Sequence, residues 1–287
     1  MTAIYKRELK TYFYGITGAI FVAFLLLMIG IYMTALNLTS GYPNFEVVLS
    51  SVVFIFLLII PIITMRSFAE DRHSRTDQLL YSLPLSLYQV VLAKYLAMIT
   101  ILALPCIVIS LYPLILACYG TVNMGAAYGA ILAFFLLGCA LIAIGMFLSS
   151  LTESQVIAAV LTFGTFILMF LMNGISSLVP YSAAASLIAY LIVAAAIALI
   201  LYNLTKNLVV SASVGGALGL GILAAFLIKK TAFEGSVQQL LSGLAVFDRF
   251  NNFANGIFDI TSLVYYLSIA ALFVFFTVQS MEKKRWA

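Results

Sequence analysis

Long apolar runs separated by short polar segments dominate the pattern of this chain. A helix needs about 20 apolar residues to cross a bilayer. The pattern therefore predicts an all-α polytopic membrane helix bundle that forms one transmembrane domain over residues 1–287. Eight spans are predicted, at 17–37, 49–65, 95–118, 126–150, 157–178, 183–203, 209–228 and 262–281.

Composition supports the same class of protein. Hydrophobic residues make up 64% of the chain and charged residues only 8%, whereas a soluble domain carries about a quarter charged residues. A soluble fold this apolar would lack a polar surface. The three cysteines, Cys106, Cys118 and Cys139, lie in or beside apolar runs without metal-ligand spacing, and we interpret them as small packing residues.

The lysines and arginines predict the orientation. With the N-terminus inside, the cytoplasmic segments hold most of these residues, and both termini are then cytoplasmic. Tyr5, Tyr12, Tyr14 and Trp286 would be aromatic anchors at the inner interface. Eleven of the 14 basic residues follow this rule: Lys6, Arg7, Lys10, Arg66, Arg72, Arg75, Lys94, Lys206, Lys283, Lys284 and Arg285.

The bodies of the predicted spans hold no Asp, Glu, Lys, Arg or His, which argues against several functions. Ion-coupled carriers use charged groups inside the membrane, and intramembrane enzymes need a nucleophile with its base or a metal set. The chain also has no GxxxxGK[ST] phosphate loop. Work on a substrate would therefore need an external source of energy. A membrane anchor or assembly scaffold that transports nothing is an alternative.

Two amphipathic segments lie outside the spans. At the N-terminus, residues 1–16 predict a basic helix in the membrane interface, with Tyr5, Leu9, Tyr12, Phe13 and Ile16 on one face. A simple topology signal is the alternative. Residues 231–261 predict outer amphipathic or re-entrant helices, and a loop with aromatic anchors is the alternative. One helical face of this segment combines Phe233, Val237, Leu240, Leu241, Leu244 and Phe247.

Small residues recur at four-residue spacing in two predicted spans. The rows are Ser211, Gly215 and Gly219 in one span, and Gly125 and Gly129 in another. Such rows allow helices to approach closely. Packing within the chain is favoured over a subunit interface.

The densest charge lies in the predicted cytoplasmic loop, residues 66–94. Pro84 would stop a first helix, and Ser86 is a good N-cap for the next. The loop is interpreted as a docking surface for a soluble protein. A metal site with His73 is disfavoured by the lack of ligands, and an ordinary solvated loop is the remaining alternative. The mixed-charge surface comprises Glu70, Asp71, Arg72, Arg75 and Asp77, and the apolar edge Leu79, Leu80 and Leu83.

This loop resembles a motif of the permease subunits of type-2 ABC exporters. The matching positions are Glu70, Arg72, Thr76, Leu79, Leu80, Pro84, Leu85, Ser86 and Lys94, with Arg75 where the family often has glycine. "SSLTESQ" at 149–155 is similar to the second cytoplasmic turn of these permeases. The end of the chain, from "FNNFANGIFD" to "MEKKRW", resembles the gliding-motility-type branch. Many members have six spans, so residues 183–228 look like an extra helix pair.

The resemblance implies a transporter in the cytoplasmic membrane of a bacterium. Such permeases pair as homodimers or heterodimers and dock two cytoplasmic ABC ATPase subunits, which hold ATP and magnesium. This chain would then hold no cofactor, no metal and no catalytic residue, and would bind lipids but no nucleic acid. An apolar interior favours export of lipid-like molecules or amphipathic peptides.

The resemblance also implies roles for residues of this chain. We expect the ATPase to contact Glu70, Asp71, Arg72, Arg75, Thr76 and Asp77, with Glu153 as a second contact. The joint between the coupling loop and the third span would be Leu79, Leu80, Pro84, Ser86 and Lys94. An outer gate helix would be formed by Phe233, Val237, Leu240, Leu244 and Phe247.

Overall fold

The computed structural model describes residues 1–74, 86–205, 208–228 and 230–285, and these residues form helices joined by short turns. The chain divides into two compact units, Met1–Phe170 with Val246–Ala287, and Leu171–Ala245. The helices are α1 Thr2–Tyr14, α2 Thr17–Met33, α3 Phe45–Val52, α4 Phe56–Thr64, α5 Arg66–His73, α6 Leu87–Ile109, α7 Tyr112–Ala117, α8 Met124–Leu151, α9 Gln155–Leu178, α10 Ala183–Thr205, α11 Leu208–Ile228, α12 Ser236–Gly243, α13 Asn251–Ala254 and α14 Ile260–Arg285.

Six of the predicted spans are confirmed by helices long and apolar enough to cross a membrane, among the residues that the structure describes. The other two predicted spans also form helices, α10 and α11, but their described apolar stretches are shorter, Ala183–Ala196 and Ser213–Ile228. Eight spans therefore stay a prediction. The six are Thr17–Thr39, Phe45–His73, Leu87–Ala117, Met124–Leu151, Gln155–Leu178 and Ile260–Lys283.

Helix α8 is the axis of the first unit. It packs against α3, α4, α5, α6 and, most extensively, α14. Small residues allow this close approach. A Cβ on Gly145 would lie 2.5 Å from the hydroxyl oxygen of Thr64, and one on Gly138 would lie 2.5 Å from a methyl carbon of Leu102. The row at Gly125 and Gly129 has looser contacts, with the nearest atom 3.0 Å from a Cβ on Gly129.

The second span is longer than predicted and is broken twice. A 3-10 turn at Val53–Ile55 separates α3 from α4, and Met65 separates α4 from α5. The span begins at Phe45, so it includes Glu46, which the sequence analysis left outside. Glu46 is 3% exposed, and its Oε2 atom has no hydrogen-bond partner among the described residues.

Charged and hydroxyl side chains gather at one end of the first unit, which we call the charged end. Here α1, α5, the start of α6 and the last turns of α8 and α14 meet. Lys94 contacts Glu8, Ser150 contacts Ser280, and Arg72 contacts Met281. All five segments therefore share polar contacts at this end.

The second unit contains the α10–α11 pair and α12. A Cβ on Gly215 would lie 2.7 Å from the Cβ of Ala198, and one on Gly219 would lie 3.9 Å from a methyl carbon of Leu191. These glycines of α11 face α10. The prediction that the row serves packing within the chain is confirmed for these two positions.

We expect Gly145→Ala and Gly164→Ala to have opposite effects on stability. The added methyl group at Gly145 would overlap Thr64, which is β-branched and hydrogen-bonded to Ile60 O, so the free energy of unfolding falls by about 1–3 kcal/mol. A Cβ at Gly164, inside α9, meets nothing within 4 Å, and alanine there raises helix stability by roughly 0.5–1 kcal/mol. Chemical denaturation in detergent micelles measures both. Equal effects would contradict the close α4–α8 contact.

Candidate functional site

A buried lysine lies at the charged end. The Lys94 ammonium is 3.1 Å from Glu8 Oε1, 2.7 Å from Asp71 Oδ2 and 2.7 Å from the carbonyl oxygen of Ser67. Its side chain is only 3% exposed, and its three protons face three oxygens. We call Glu8, Ser67, Asp71 and Lys94 the lysine cluster. A buried charge needs such partners, because desolvation of an unpaired ammonium costs several kcal/mol.

Local sequence places Lys94 in this position. The Ser86 hydroxyl oxygen accepts a hydrogen bond from Gln89 N, so α6 begins at Leu87. Lys94 therefore lies two turns inside the helix, on a face with Val91 and Met98 that is fully buried. The Phe68 ring, 5.2 Å from the Lys94 ammonium, adds a cation–π contact.

Helix α1 contributes the second carboxylate. Its buried residues are Ile4, Glu8 and Tyr12, which follow one another at helical spacing. The Tyr12 hydroxyl donates to Ile63 O at 3.1 Å, and burial raises the pKa of this tyrosine. Of the apolar face predicted for this helix, Phe13 and Ile16 are instead exposed. The acidic residue Glu8 is buried instead, because its ion-pair partner Lys94 lies on α6.

Ser149 fixes the start of α5. Its hydroxyl donates to Met65 O at 3.1 Å and accepts from Phe68 N and Ala69 N, both at 3.2 Å. Met65 is the break between α4 and α5, where the first backbone N–H groups of a new helix lack partners in the helix itself. A fully buried serine of α8 thus supplies the missing acceptor.

Two contacts extend the site to α14. Arg72 Nη2 lies 3.5 Å from Met281 Sδ, and the Ser150 and Ser280 hydroxyl oxygens are 3.1 Å apart. Helix α5 is therefore in contact with α6, α8 and α14, and through Lys94 it is linked to α1. A displacement of α5 would disturb polar contacts to each of them.

A cavity of about 250 Å³ opens beside the cluster, between α1 and α5. Charges of both signs line it, and they are paired: Arg7 lies 2.8 Å from Glu8, and Arg66 lies 3.7 Å from Glu70. The hydrogen bond to Glu8 raises the pKa of Arg7. The described residues include no group of three or more His, Cys, Asp or Glu side chains that could hold a metal ion.

The structure distributes the predicted contact residues unevenly. Glu70 is nearly half exposed, at 46% of its side chain, and Glu153 is exposed in the turn before α9. Asp71 is 19% exposed and belongs to the lysine cluster with the predicted joint residue Lys94. The predicted contacts Arg75, Thr76 and Asp77 and the predicted joint residues Leu79, Leu80 and Pro84 lie outside the described residues, as does Trp286.

The residues predicted for an outer gate do not share one helix. Gly235, at a φ of +69°, separates Phe233 from α12, which holds Val237 and Leu240. In the second unit, Phe233 packs on Tyr190 and Phe226, while Leu240 and Leu244 are more than half exposed. In the first unit, Phe247 is buried against Phe166 and Phe170. Their role in a gate stays a prediction.

Sequence reasoning missed Glu8, Ser67 and Ser149. The signal for Glu8 was an acidic residue at the same helical register as Ile4 and Tyr12, within an apolar face. The signal for Ser149 was weaker, because a serine at the end of an apolar run also fits a simple interface residue. Ser67 contributes only its backbone carbonyl, which a side-chain pattern does not report.

Comparison with known proteins gives one match. A family model described as "ABC-2 family transporter protein" matches residues 33–229, more than half of the chain. The matched stretch includes α5, Lys94, Ser149 and both helices of the α10–α11 pair, but neither α1 nor α14. No curated protein and no solved structure matches the chain.

We expect Lys94→Met to lower the free energy of unfolding by about 3–5 kcal/mol, because it leaves buried carboxylates without their cation. Lys6→Met, at an exposed position of α1, is the control and should stay within about 0.5 kcal/mol of the wild type. The triple variant Glu8→Gln, Asp71→Asn, Lys94→Met should recover part of the loss. Chemical denaturation in micelles tests this, and a triple variant less stable than Lys94→Met would contradict the pairing.

A second prediction concerns Ser149→Ala. Removing the hydroxyl leaves two buried N–H groups of α5 without their acceptor, and we expect a loss of about 1–3 kcal/mol. Amide hydrogen exchange should also accelerate at Phe68 and Ala69. Ser177→Ala, at an exposed position of α9, is the control. Unchanged exchange at these two amides would show that the Ser149 hydroxyl does not hold them.

Proposed function

The chain belongs to the ABC-2 family of transporter proteins and is a multi-pass permease subunit of an ABC transporter, and from this premise we propose that ATP hydrolysis in a separate subunit drives it through α5. The observation that carries this proposal is the lysine cluster. The cluster and Ser149 join α5, at the root of the charged loop, to α1, α6 and α8. A force applied to this loop would reach the spans through these contacts.

The proposed contact face is the exposed part of this end. The Glu70 side chain is nearly half exposed and pairs only weakly with Arg66, since their closest atoms are 3.7 Å apart and both side chains are more than 40% exposed. An exposed pair of this kind contributes little to stability. Its charges are therefore available to a soluble partner. Glu153, exposed in the turn between α8 and α9, is the proposed second contact.

Asp71 has a different part in this proposal. Its carboxylate contacts Lys94 at 2.7 Å, and its side chain is mostly buried. A change at Asp71 would break the lysine cluster as well as any contact with the partner. Glu70 is therefore the position that tests docking alone.

The proposed assembly follows the family resemblance. Two cytoplasmic ABC ATPase subunits would dock on a pair of permease subunits, either two copies of this chain or this chain and a paralogue. ATP and magnesium would be bound by the ATPase subunits. The charged end would face the cytoplasm of a bacterium, as the basic residues Lys6, Arg7, Lys10 and Lys283 favour.

The proposed cargo is an amphipathic peptide or a lipid-like molecule, moved outward. The predicted spans support this cargo class, because their bodies are apolar and their main polar side chains are hydroxyl and amide groups. The likeness of residues 250–286 to the gliding-motility branch is part of the same proposal.

Charge reversal at Glu70 tests the coupling role. We expect Glu70→Lys to weaken co-purification of the ATPase and to lower permease-stimulated ATP turnover by roughly tenfold, because like charges would meet in the interface. Folding should be nearly unchanged, since an exposed pair contributes about 0–1 kcal/mol. Glu234→Lys, an exposed position of the second unit, is the control.

The outcomes of this experiment separate the two candidate functions. If the wild-type chain retains an ATPase and Glu70→Lys retains it equally, with equal turnover, the contact assignment is wrong. If the wild-type chain retains no ATPase and stimulates no ATP turnover, the chain is an anchor or scaffold and not a driven permease.

A further inference from the structure

The Ser149 hydroxyl takes the place of a helical hydrogen bond in the second span. In a continuous helix, Ala69 N would donate to Met65 O, four residues earlier. Here Ala69 N donates to the Ser149 oxygen at 3.2 Å, and the same hydroxyl donates to Met65 O at 3.1 Å. A side chain inserted in this way is one of the few causes of a kink in a helix. The hydroxyl therefore keeps the helix open at the break between α4 and α5, which we call the Met65 break.

The two backbone groups that Ser149 separates are complementary to each other. If the hydroxyl withdrew, Ala69 N and Met65 O would form the helical bond directly, and neither group would stay unpaired. Met65 already has helical dihedral angles, φ −57° and ψ −32°, so this closure requires only small backbone rotations. The break therefore has two arrangements in which both groups are satisfied: open, with Ser149 inserted, and closed, with a continuous helix.

Pro61 weakens the helix on one side of the break. It lies inside α4, one turn before Met65, and it has no N–H to donate to Leu57 O. A helix changes direction more easily at a proline, because a hydrogen bond is already missing there. The second span is therefore easiest to bend directly before the position at which Ser149 is inserted.

The lysine cluster restrains α5 from the other side. Lys94 of α6 lies 2.7 Å from Asp71 Oδ2 and 2.7 Å from Ser67 O, and both acceptors belong to α5. Its contact with Glu8, at 3.1 Å, goes to α1 and does not hold α5 directly. Closing the break would move α5 relative to α6 and would strain the two contacts that α5 makes. Asp71 and Ser149 thus both favour the open arrangement.

We propose that the Met65 break is a two-state hinge, open while Ser149 is inserted and Asp71 contacts Lys94, and closed when these contacts are lost. Hydrogen bonds fail beyond about 3.5 Å, so a shift of α8 by about 1 Å would withdraw the hydroxyl. A change in direction of about 20° would move the far end of α5, an eight-residue helix about 12 Å long, by roughly 4 Å. The hinge does not rest on the proposed coupling to an ATPase, because all of its groups belong to this chain.

Amide hydrogen exchange, read by NMR of the full chain in micelles, tests the hinge. The background is Ser149→Ala, in which Ala69 N has lost its acceptor while Asp71 still holds α5, so its exchange is fast. Adding Asp71→Asn weakens the contact with Lys94, and Ala69 N can then bond to Met65 O. We expect exchange at Ala69 to slow by about tenfold, because the amide regains a backbone partner. A substitution that merely destabilised the fold would make this exchange faster.

Matched variants in the same background locate the effect. Glu8→Gln neutralises the other carboxylate of the lysine cluster but leaves α5 bonded to α6, so exchange at Ala69 should stay fast. Pro61→Ala restores the missing N–H of α4 without changing the cluster and favours a continuous helix, so it should also slow this exchange, by a smaller factor. Pro105→Ala, inside α6, is the control for the loss of a buried proline and should have no such effect.

The proposal is overturned if Ala69 exchanges as fast with Asp71→Asn as without it, because the helical bond would then not form when α5 is released. Equal slowing by Glu8→Gln would also overturn it, since that variant leaves the restraint on α5 in place. If the variant with Asp71→Asn does not fold, Pro61→Ala decides: slower exchange supports the hinge, and exchange that is unchanged or equally slow with Pro105→Ala overturns it.

Discussion

The charged end of this protein depends on the burial of one ammonium group. Lys94 is a residue of a helix that enters the membrane, and its charge is tolerated because oxygens from α1 and α5 surround it. Neither helix holds its position by apolar contacts alone: α5 is short and polar, and α1 is exposed along much of its surface. The cost of leaving the ammonium unpaired therefore keeps both helices in place.

Close packing of α8 against α4 and α5 connects the polar contacts of the charged end to the membrane spans. Gly145 brings α8 against Thr64 of α4, and one turn later Ser149 binds the break at Met65 and the start of α5. The same face of α8 thus supports the end of one helix and the beginning of the next. Packed helices transmit displacement because their interfaces do not deform continuously. In the proposed mechanism, a contact made outside the membrane would therefore displace the spans that pack on α8.

Sequence predicted the helices better than it predicted their polar contacts. Apolar length identifies a span because lipid forces each backbone group into a helix, and six spans follow from that constraint. Ser86 was predicted as an N-cap from a local signal, and it caps α6, whereas Lys94 was assigned to a joint through the family resemblance alone. Glu8 pairs with a residue 86 positions away, and no local pattern reports such a partner. The contact at Met65 was equally hidden, because the hydroxyl that donates to its carbonyl oxygen belongs to Ser149 on another helix.

The lysine cluster also constrains how the protein is made. During synthesis Glu8 and Asp71 leave the ribosome before Lys94, so the first two spans enter the membrane while both carboxylates still lack their cation. These carboxylates must stay hydrated at the membrane surface until α6 arrives, because an unpaired charge cannot be buried cheaply. Insertion of the third span then neutralises and dehydrates them in one step. The order of the chain thereby makes α6 the span that completes the lysine cluster.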